Sequence, residues 1–198
     1  MVNEKMVKVK AFVCNPYQQN TYVVHKDGEK GCFIVDAGVY SPEEERDLTD
    51  YIQEQGLTVE AILITHAHPD HVCGLSRLQT LYPAARIVQY APDSTSHSQL
   101  STSFNFFQLS TLNFQLISTP GHKEDCLCFY LPDEGILFSG DTLFYGSVGR
   151  TDLPGGDFGT LLHSLHELMK LPGDTVVYPG HGEPTTIAHE QQYNPFVR

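Results

Sequence analysis

A chain of 198 residues is long enough for one domain with a sizeable core. Its formal net charge of −12 argues against a nucleic-acid partner, because phosphate contacts need a basic footprint, and against an anionic membrane surface. Five cysteines (Cys14, Cys32, Cys73, Cys126 and Cys128) form no CxxC pair, residues 1–5 lack the apolar core of a signal peptide, and no run approaches a membrane span, so the expected setting is a reducing cytoplasm.

Residues 7–13 read as a first strand. Asn15-Pro16-Tyr17-Gln18-Gln19-Asn20 is turn chemistry, and 21–24 is β-branched and aromatic, a second strand. Asp27-Gly28 marks a hairpin into a third strand at 32–36. Ser41-Pro42-Glu43-Glu44 opens a helix, with Ser as N-cap, Pro in the first turn and acids at the positive end of the dipole. That helix runs to about Gln55, where Gly56 ends it. A strand at 59–64 is followed by a helix predicted over about 70–81.

A short strand at 86–90 precedes a Ser/Thr-rich, aperiodic loop at 92–103. Alternating stretches return at 104–109, 112–118, 126–131 and 135–139, with Asp133-Glu134-Gly135 as the turn between the last two. Cys126 and Cys128 share one face as small core residues. A helix over 161–171 carries Leu161, Leu162, Leu165, Leu168 and Met169 on one side. A last strand at 175–178 and a closing helix over 183–193 complete the chain. Hairpins with helices between some of them predict an α+β fold of two sheets sandwiched between helices, with no repeat and no linker.

The strand at 59–64 runs into Thr65-His66-Ala67-His68-Pro69-Asp70-His71, three imidazoles and a carboxylate within six residues. The Pro69 ring bars a smooth passage from strand to helix before Asp70, so the cluster sits on a loop at a strand end. In an extended segment His66 and His68 point to the same side. Neutral imidazoles with a carboxylate suit zinc, iron or manganese. Three other strands end in a metal-binding residue type: Thr119-Pro120-Gly121 leads to His122, Ser139-Gly140 to Asp141, and Tyr178-Pro179-Gly180 to His181. Each has a small residue just before it, which lets the backbone approach a crowded site. One histidine after a strand is ordinary; three such ends beside the first cluster are not.

These motifs resemble the metallo-β-lactamase superfamily, whose signature is His-x-His-x-Asp-His followed by later His, Asp and His residues. Within it, Asn15-Pro16-Tyr17-Gln18-Gln19-Asn20-Thr21-Tyr22, Gly140-Asp141-Thr142-Leu143-Phe144 and Gly149-Arg150-Thr151-Asp152-Leu153 are similar to the type II glyoxalase (hydroxyacylglutathione hydrolase) branch. The tail Pro179-Gly180-His181-Gly182-Glu183-Pro184-Thr185-Thr186-Ile187 resembles its short bacterial members. The resemblance implies a four-layer αββα sandwich, one domain over residues 1–198, with a metal site along the edge of the inner sheets. It implies that His66, His68 and His122 hold a first divalent ion, that Asp70, His71 and His181 hold a second, and that Asp141 bridges them. Two ions, zinc by default with iron and manganese admitted, are then expected about 3.5–4 Å apart around a hydroxide.

The implied reaction is hydrolysis of a thioester such as S-lactoylglutathione, with Asp70 and Asp141 in catalytic roles. The metals polarise the carbonyl, hold the oxyanion and receive the thiolate. No Gly-x-Ser-x-Gly elbow is present, so no protein nucleophile is expected. His25, His97, His163, His166 and His189 match no ligand position, and His163 and His166, at i and i+3, read as helix surface.

The chain departs from the longer members in two places. They carry a C-terminal helical domain with basic residues for glutathione, whereas this chain ends at Arg198, and they place a Lys and a Tyr where it reads Gly149-Arg150-Thr151-Asp152. Arg150 is the candidate substrate-binding cation, able to grip a carboxylate bidentately, or else it closes a salt bridge to Asp152 or Asp157. Persulfide dioxygenases share this fold and a Gly-Arg-Thr-Asp stretch; that reading needs a single iron on His66, His122 and Asp141. A non-catalytic metal-binding module is the alternative outside enzymes. The expected partner is a small-molecule thioester, with neither nucleic acid nor membrane.

Overall fold

The structure is a computed structural model that describes residues 6–90 and 106–197. The loop expected at 92–103, His97 and the first two positions of the strand expected at 104–109 lie outside the described residues. The elements run β1 (Val7–Cys14), β2 (Gln19–Lys26), β3 (Gly31–Val35), α1 (Pro42–Glu54), β4 (Thr58–Leu63), α2 (Pro69–Val72), α3 (Leu75–Leu81), β5 (Arg86–Val88), β6 (Phe106–Leu109), β7 (Leu112–Ser118), β8 (Leu127–Leu131), β9 (Ile136–Gly140), β10 (Leu143–Phe144), β11 (Ser147–Val148), α4 (Phe158–Leu168), β12 (Val176–Pro179), β13 (Thr185–Thr186) and α5 (Ile187–Tyr193).

Two sheets result. The first has the order β1-β2-β3-β4-β5, and the second β13-β12-β9-β8-β7-β6. In the first, β1, β2 and β3 are antiparallel, and β3, β4 and β5 are parallel, with α1 and then α2 and α3 in the crossovers. In the second, β12 runs parallel to β9 and the remaining pairs are antiparallel.

The alternation of side chains along each strand decides the layers. Tyr22, Val24, Phe33 and Leu63 of the first sheet meet Phe114, Phe129, Leu131 and Phe138 of the second in a core between the sheets. Val23, Ile34 and Ile62 point the other way, onto Leu48 and Ile52 of α1 and Leu78 of α3. Cys128, Leu137 and Val177 turn outward onto Leu161, Leu165 and Leu168 of α4 and Ile187 of α5. Three apolar interfaces make four layers, α, β, β, α. At roughly 1.5–3 kcal/mol for each fully buried large apolar side chain, these interfaces are the main favourable contribution to the fold.

Helix α1 begins as its sequence predicts: Ser41 Oγ accepts from the Glu44 N–H at 3.2 Å, and the Glu44 carboxylate accepts back from the Ser41 N–H. The helix expected over 70–81 is instead two pieces. The Gly74 N–H donates to Ala37 O at 2.8 Å, and a Cβ on Gly74 would lie 2.3 Å from Val39 Cγ2. The backbone there docks on the loop after β3 rather than continuing the helix. Helix α4 starts earlier than expected, because Asp157 Oδ1 caps the Thr160 N–H at 2.7 Å. The closing helix yields its first residues to β13 and starts at Ile187 behind a Thr186 cap. The hairpin of β10 and β11 was not expected; its turn passes through Gly146 at φ +61°. Among the described residues no helix is long and apolar enough to cross a membrane.

Candidate metal centre

Strands β7, β9 and β12 point the same way in the second sheet, so the segments that follow them emerge on one edge. Neighbouring β9 and β12 deliver Asp141 and His181 side by side, β7 leads to His122, and β4 of the facing sheet leads to the stretch from Thr65 to His71. The seven residues singled out from the sequence converge there.

His66 Nε2 and His122 Nε2 lie 3.0 and 2.8 Å from His68 Nδ1. Asp70 Oδ2 lies 3.2 Å from His181 Nε2 and 3.7 Å from His71 Nε2. Asp141 stands between the groups, with Oδ1 3.3 Å from His71 Nε2, and Oδ2 3.5 Å from His122 Nε2 and 3.6 Å from His181 Nε2. Donor atoms also gather within 4.8 Å in the set His66, His71 and Asp141, which joins the two groups.

The outer nitrogens explain why the inner ones face each other. His71 Nδ1–H donates to Asp36 Oδ2 at 2.7 Å, His122 Nδ1–H to Arg150 O at 2.7 Å, and His181 Nδ1–H to Tyr17 O at 3.0 Å. His66 Nδ1 lies 3.1 Å from Thr65 Oγ1, whose own hydroxyl donates to Asp36 Oδ2. A proton on Nδ1 leaves a lone pair on Nε2 aimed inward, the tautomer a metal ligand needs.

Two further observations test whether an ion fits. His71 Nε2 and Asp141 Oδ1 are buried without a hydrogen-bond partner, an arrangement that costs about 1–3 kcal/mol per group unless something fills it. Burial, with neighbouring imidazoles behind it, pushes His66 well below the usual histidine range and lowers His68, so both stay neutral. In the second group burial would lower His71 and His181. The carboxylates of Asp36 and Asp141 raise His71 well above its usual value instead, and those of Asp70 and Asp141 raise His181. Burial would raise Asp70 and Asp141, yet His181 and His71 respectively hold them down as carboxylates. The field of the second group thus favours a cation, and these residues fit divalent ions.

The cluster is the floor of a cavity of about 510 Å³, walled by Tyr17, Phe144, Val148 and Leu153, with Arg150 at its edge. Arg150 forms the salt bridge to Asp152, through Nε to Oδ1 at 2.6 Å and Nη2 to Oδ2 at 2.7 Å, and Asp157 is occupied as the cap of α4. His163 and His166 are exposed on α4, His25 is buried against the Tyr51 hydroxyl, and His189 stacks on Tyr145.

Sequence reasoning missed three supporting carboxylates. Asp36 follows β3 at φ +60°, and its Oδ1 accepts from the Thr65 N–H at 2.8 Å. It follows an apolar strand as Asp141 does, but Val35 stands where Asp141 has the small Gly140. Asp125 Oδ2 accepts from the Ala67 N–H at 3.0 Å and holds the His66–His68 turn. Glu190 of α5 is fully buried; it accepts from the Gly146 N–H, Asn194 Nδ2 and Thr185 Oγ1, and so anchors the β10–β11 turn that walls the cavity. At roughly 1 kcal/mol per lost hydrogen bond, Glu190→Ala is expected to destabilise the fold by about 3 kcal/mol, read as a lower denaturant midpoint.

The sequence profile described as the metallo-beta-lactamase superfamily matches residues 14–97 and 90–181. A probable metallo-hydrolase of Bacillus subtilis (strain 168) is 34% identical over 206 residues, covering 92% of this chain and 93% of that protein. A hydroxyacylglutathione hydrolase of Haemophilus influenzae is 31% identical over 218 residues, covering 99% and 98%. The hydroxyacylglutathione hydrolase of Francisella tularensis subsp. novicida is 35% identical over 144 residues, which are 72% of this chain but only 57% of that enzyme. Among solved structures, the BLEG-1 B3 metallo-beta-lactamase matches with a TM-score of 0.86 at 32% identity, over 96% of this chain and 99% of that one. ETHE1 from Myxococcus xanthus matches with a TM-score of 0.83 at 27% identity, over 95% and 83%. With the profile spanning most of the chain and relatives above 30% identity along nearly their whole length, the chain belongs to the metallo-beta-lactamase superfamily.

Proposed function

We propose that the chain is a metal-dependent hydrolase of thioesters of the S-lactoylglutathione type, working with two divalent ions, zinc by default. The observation that carries this reading is the pair of donor groups on either side of Asp141 at the floor of an apolar-walled cavity. His66, His68 and His122 would hold one ion, Asp70, His71 and His181 the other, and Asp141 would bridge. Ions held there supply a Lewis acid and a water acidified towards a pKa of about 7, so no side-chain nucleophile is required. The names of the Haemophilus and Francisella relatives support the thioester.

The chain's own residues do the rest. The Asp70 carboxylate, at the cavity floor, would accept a hydrogen bond from the attacking water and turn the water's lone pair to the carbonyl carbon. The water oxygen bonds to that carbon, the C–S bond breaks, and the sulfur leaves with the electron pair and takes up a proton. The products are a carboxylic acid and a thiol. Phe144 and Val148 keep bulk water from the carbonyl. Five unpaired cysteines suit the reducing cytoplasm in which we place the reaction.

The test is loss of thioester absorbance when metal-loaded protein meets S-lactoylglutathione. A chelator is expected to remove turnover, and added divalent ions to restore it. Two bound ions with no thioester turned over would overturn the reading. One bound iron with oxygen uptake would put the persulfide dioxygenase, on His66, His122 and Asp141, in its place. That alternative leaves Asp70, His71 and His181 converging without a task.

A further inference from the structure

We propose that the cavity prefers thioesters of an uncharged thiol to those of an anionic one, and that Asp152 sets this preference by engaging the guanidinium of Arg150; the proposal rests on the thioesterase reading above. A carrier with carboxylates, such as glutathione, needs cationic donors where it lies. Among the described residues, Arg150 is the one Lys or Arg that lines the cavity. The stretch 91–105 adds none, since it contains neither residue type.

The side-on edge of the guanidinium, Nε with Nη2, is already used. Nε and Nη2 both face the two oxygens of Asp152, two residues further along the same loop. Because the two are so close in sequence, Asp152 is always at hand, and a substrate carboxylate must displace it or bind the other edge beside its negative charge. Arg150 pulls the Asp152 carboxyl down to about 2, so this competitor is charged at any working pH. Apart from Ser147, the rest of the wall (Tyr17, Phe144, Val148 and Leu153) offers mainly apolar surface, and Tyr17 is 72% exposed at its edge. The net charge of −12 adds long-range repulsion of an anionic substrate.

The backbone of Arg150 has a separate duty, because its carbonyl accepts from His122 Nδ1–H. Substituting Arg150 would therefore confuse two roles, whereas exposed Asp152 meets the guanidinium of Arg150 and leaves its carbonyl to His122.

The experiment compares S-lactoylglutathione with S-lactoyl-N-acetylcysteamine, which carries the same acyl group on an uncharged thiol. Metal-loaded wild type and Asp152→Asn are assayed at low salt and at about 1 M salt, where the screening length falls to about 3 Å. In wild type at low salt the uncharged thioester is expected to have the higher kcat/KM, and salt is expected to narrow the gap. Asp152→Asn is expected to raise the glutathione-to-uncharged ratio by about two- to fivefold, the worth of one exposed ion pair, mainly through KM for the glutathione ester. Metal content and Tm of the variant check that the site is intact. A wild type that prefers the glutathione ester, or an Asp152→Asn ratio that does not move, would overturn the proposal while leaving the thioesterase reading standing. Turnover of neither ester, with ions bound, would remove both.

Discussion

Asp141→Ala is expected to lower kcat by about a thousandfold or more and to leave at most one ion tightly bound per chain. Asp141 is the carboxylate of the seven that faces both groups: one oxygen lies against His71, the other against His122 and His181. Its backbone is pinned as well. A Cβ on Gly149 would lie 1.9 Å from Asp141 O, and one on Gly180 would lie 2.2 Å from Asp141 Oδ1, so both glycines are present because Asp141 approaches them. Alanine removes the carboxylate and its contact with Gly180 but keeps the backbone against Gly149, so the loss falls mainly on chemistry rather than on folding. A thousandfold corresponds to about 4 kcal/mol of transition-state stabilisation, a plausible share for one group that positions two ions. Asp141→Asn keeps one carbonyl oxygen and should fall between. The measurement is metal per chain by elemental analysis beside kcat on the thioester. A variant that kept both ions and stayed within about tenfold of wild type would show that Asp141 does not bridge.

The layers and the donor set were legible in the sequence because both follow from local rules. Val23 and Val24 sit on opposite faces of β2 through the period of two, and each finds its own core. His122, Asp141 and His181 were visible because each follows an apolar strand and a small residue. What escaped depends on contacts between distant segments. Gly74 breaks a helix because Val39, 35 residues earlier, occupies the space a side chain would need. Glu190 reads as one more polar residue on a short helix, and only the fold puts Gly146 against it. The salt-bridge reading of Arg150 could not be fixed without the loop geometry that sets Asp152 against its guanidinium and leaves Asp157 to cap α4. Asp36 was legible in principle. It was read as the last residue of a strand; it follows four apolar residues, but Val35 stands where Asp141 has Gly140, so only part of the pattern noted there marked it.

For that residue, Asp36→Asn is expected to weaken the ion at His71 by about 10- to 100-fold and to lower turnover with it, although residue 36 touches no substrate. Three donors converge on this carboxylate: the Thr65 N–H at 2.8 Å, the Thr65 hydroxyl at 2.9 Å and His71 Nδ1–H at 2.7 Å. All need an acceptor, and Asp36 is buried to 1% exposure, so water cannot substitute. Asparagine tolerates the positive φ and fills the same volume, but one of its two ends is now an amine. If the amine meets Thr65, the strand end that carries His66 is disturbed. If it meets His71, the ring must move its proton from Nδ1 to Nε2, where the lone pair for the metal belongs. Either outcome strikes the site from behind. Loss of one or two charge-assisted bonds, at roughly 1.5–3 kcal/mol each, should also lower the Tm of the metal-free protein. Competition with a chelator of known strength reads the affinity, and Asp36→Glu, which restores the charge at the wrong reach, separates charge from position. Unchanged affinity in Asp36→Asn would mean that His71 keeps its orientation by packing alone, against His66 at a ring distance of 4.1 Å.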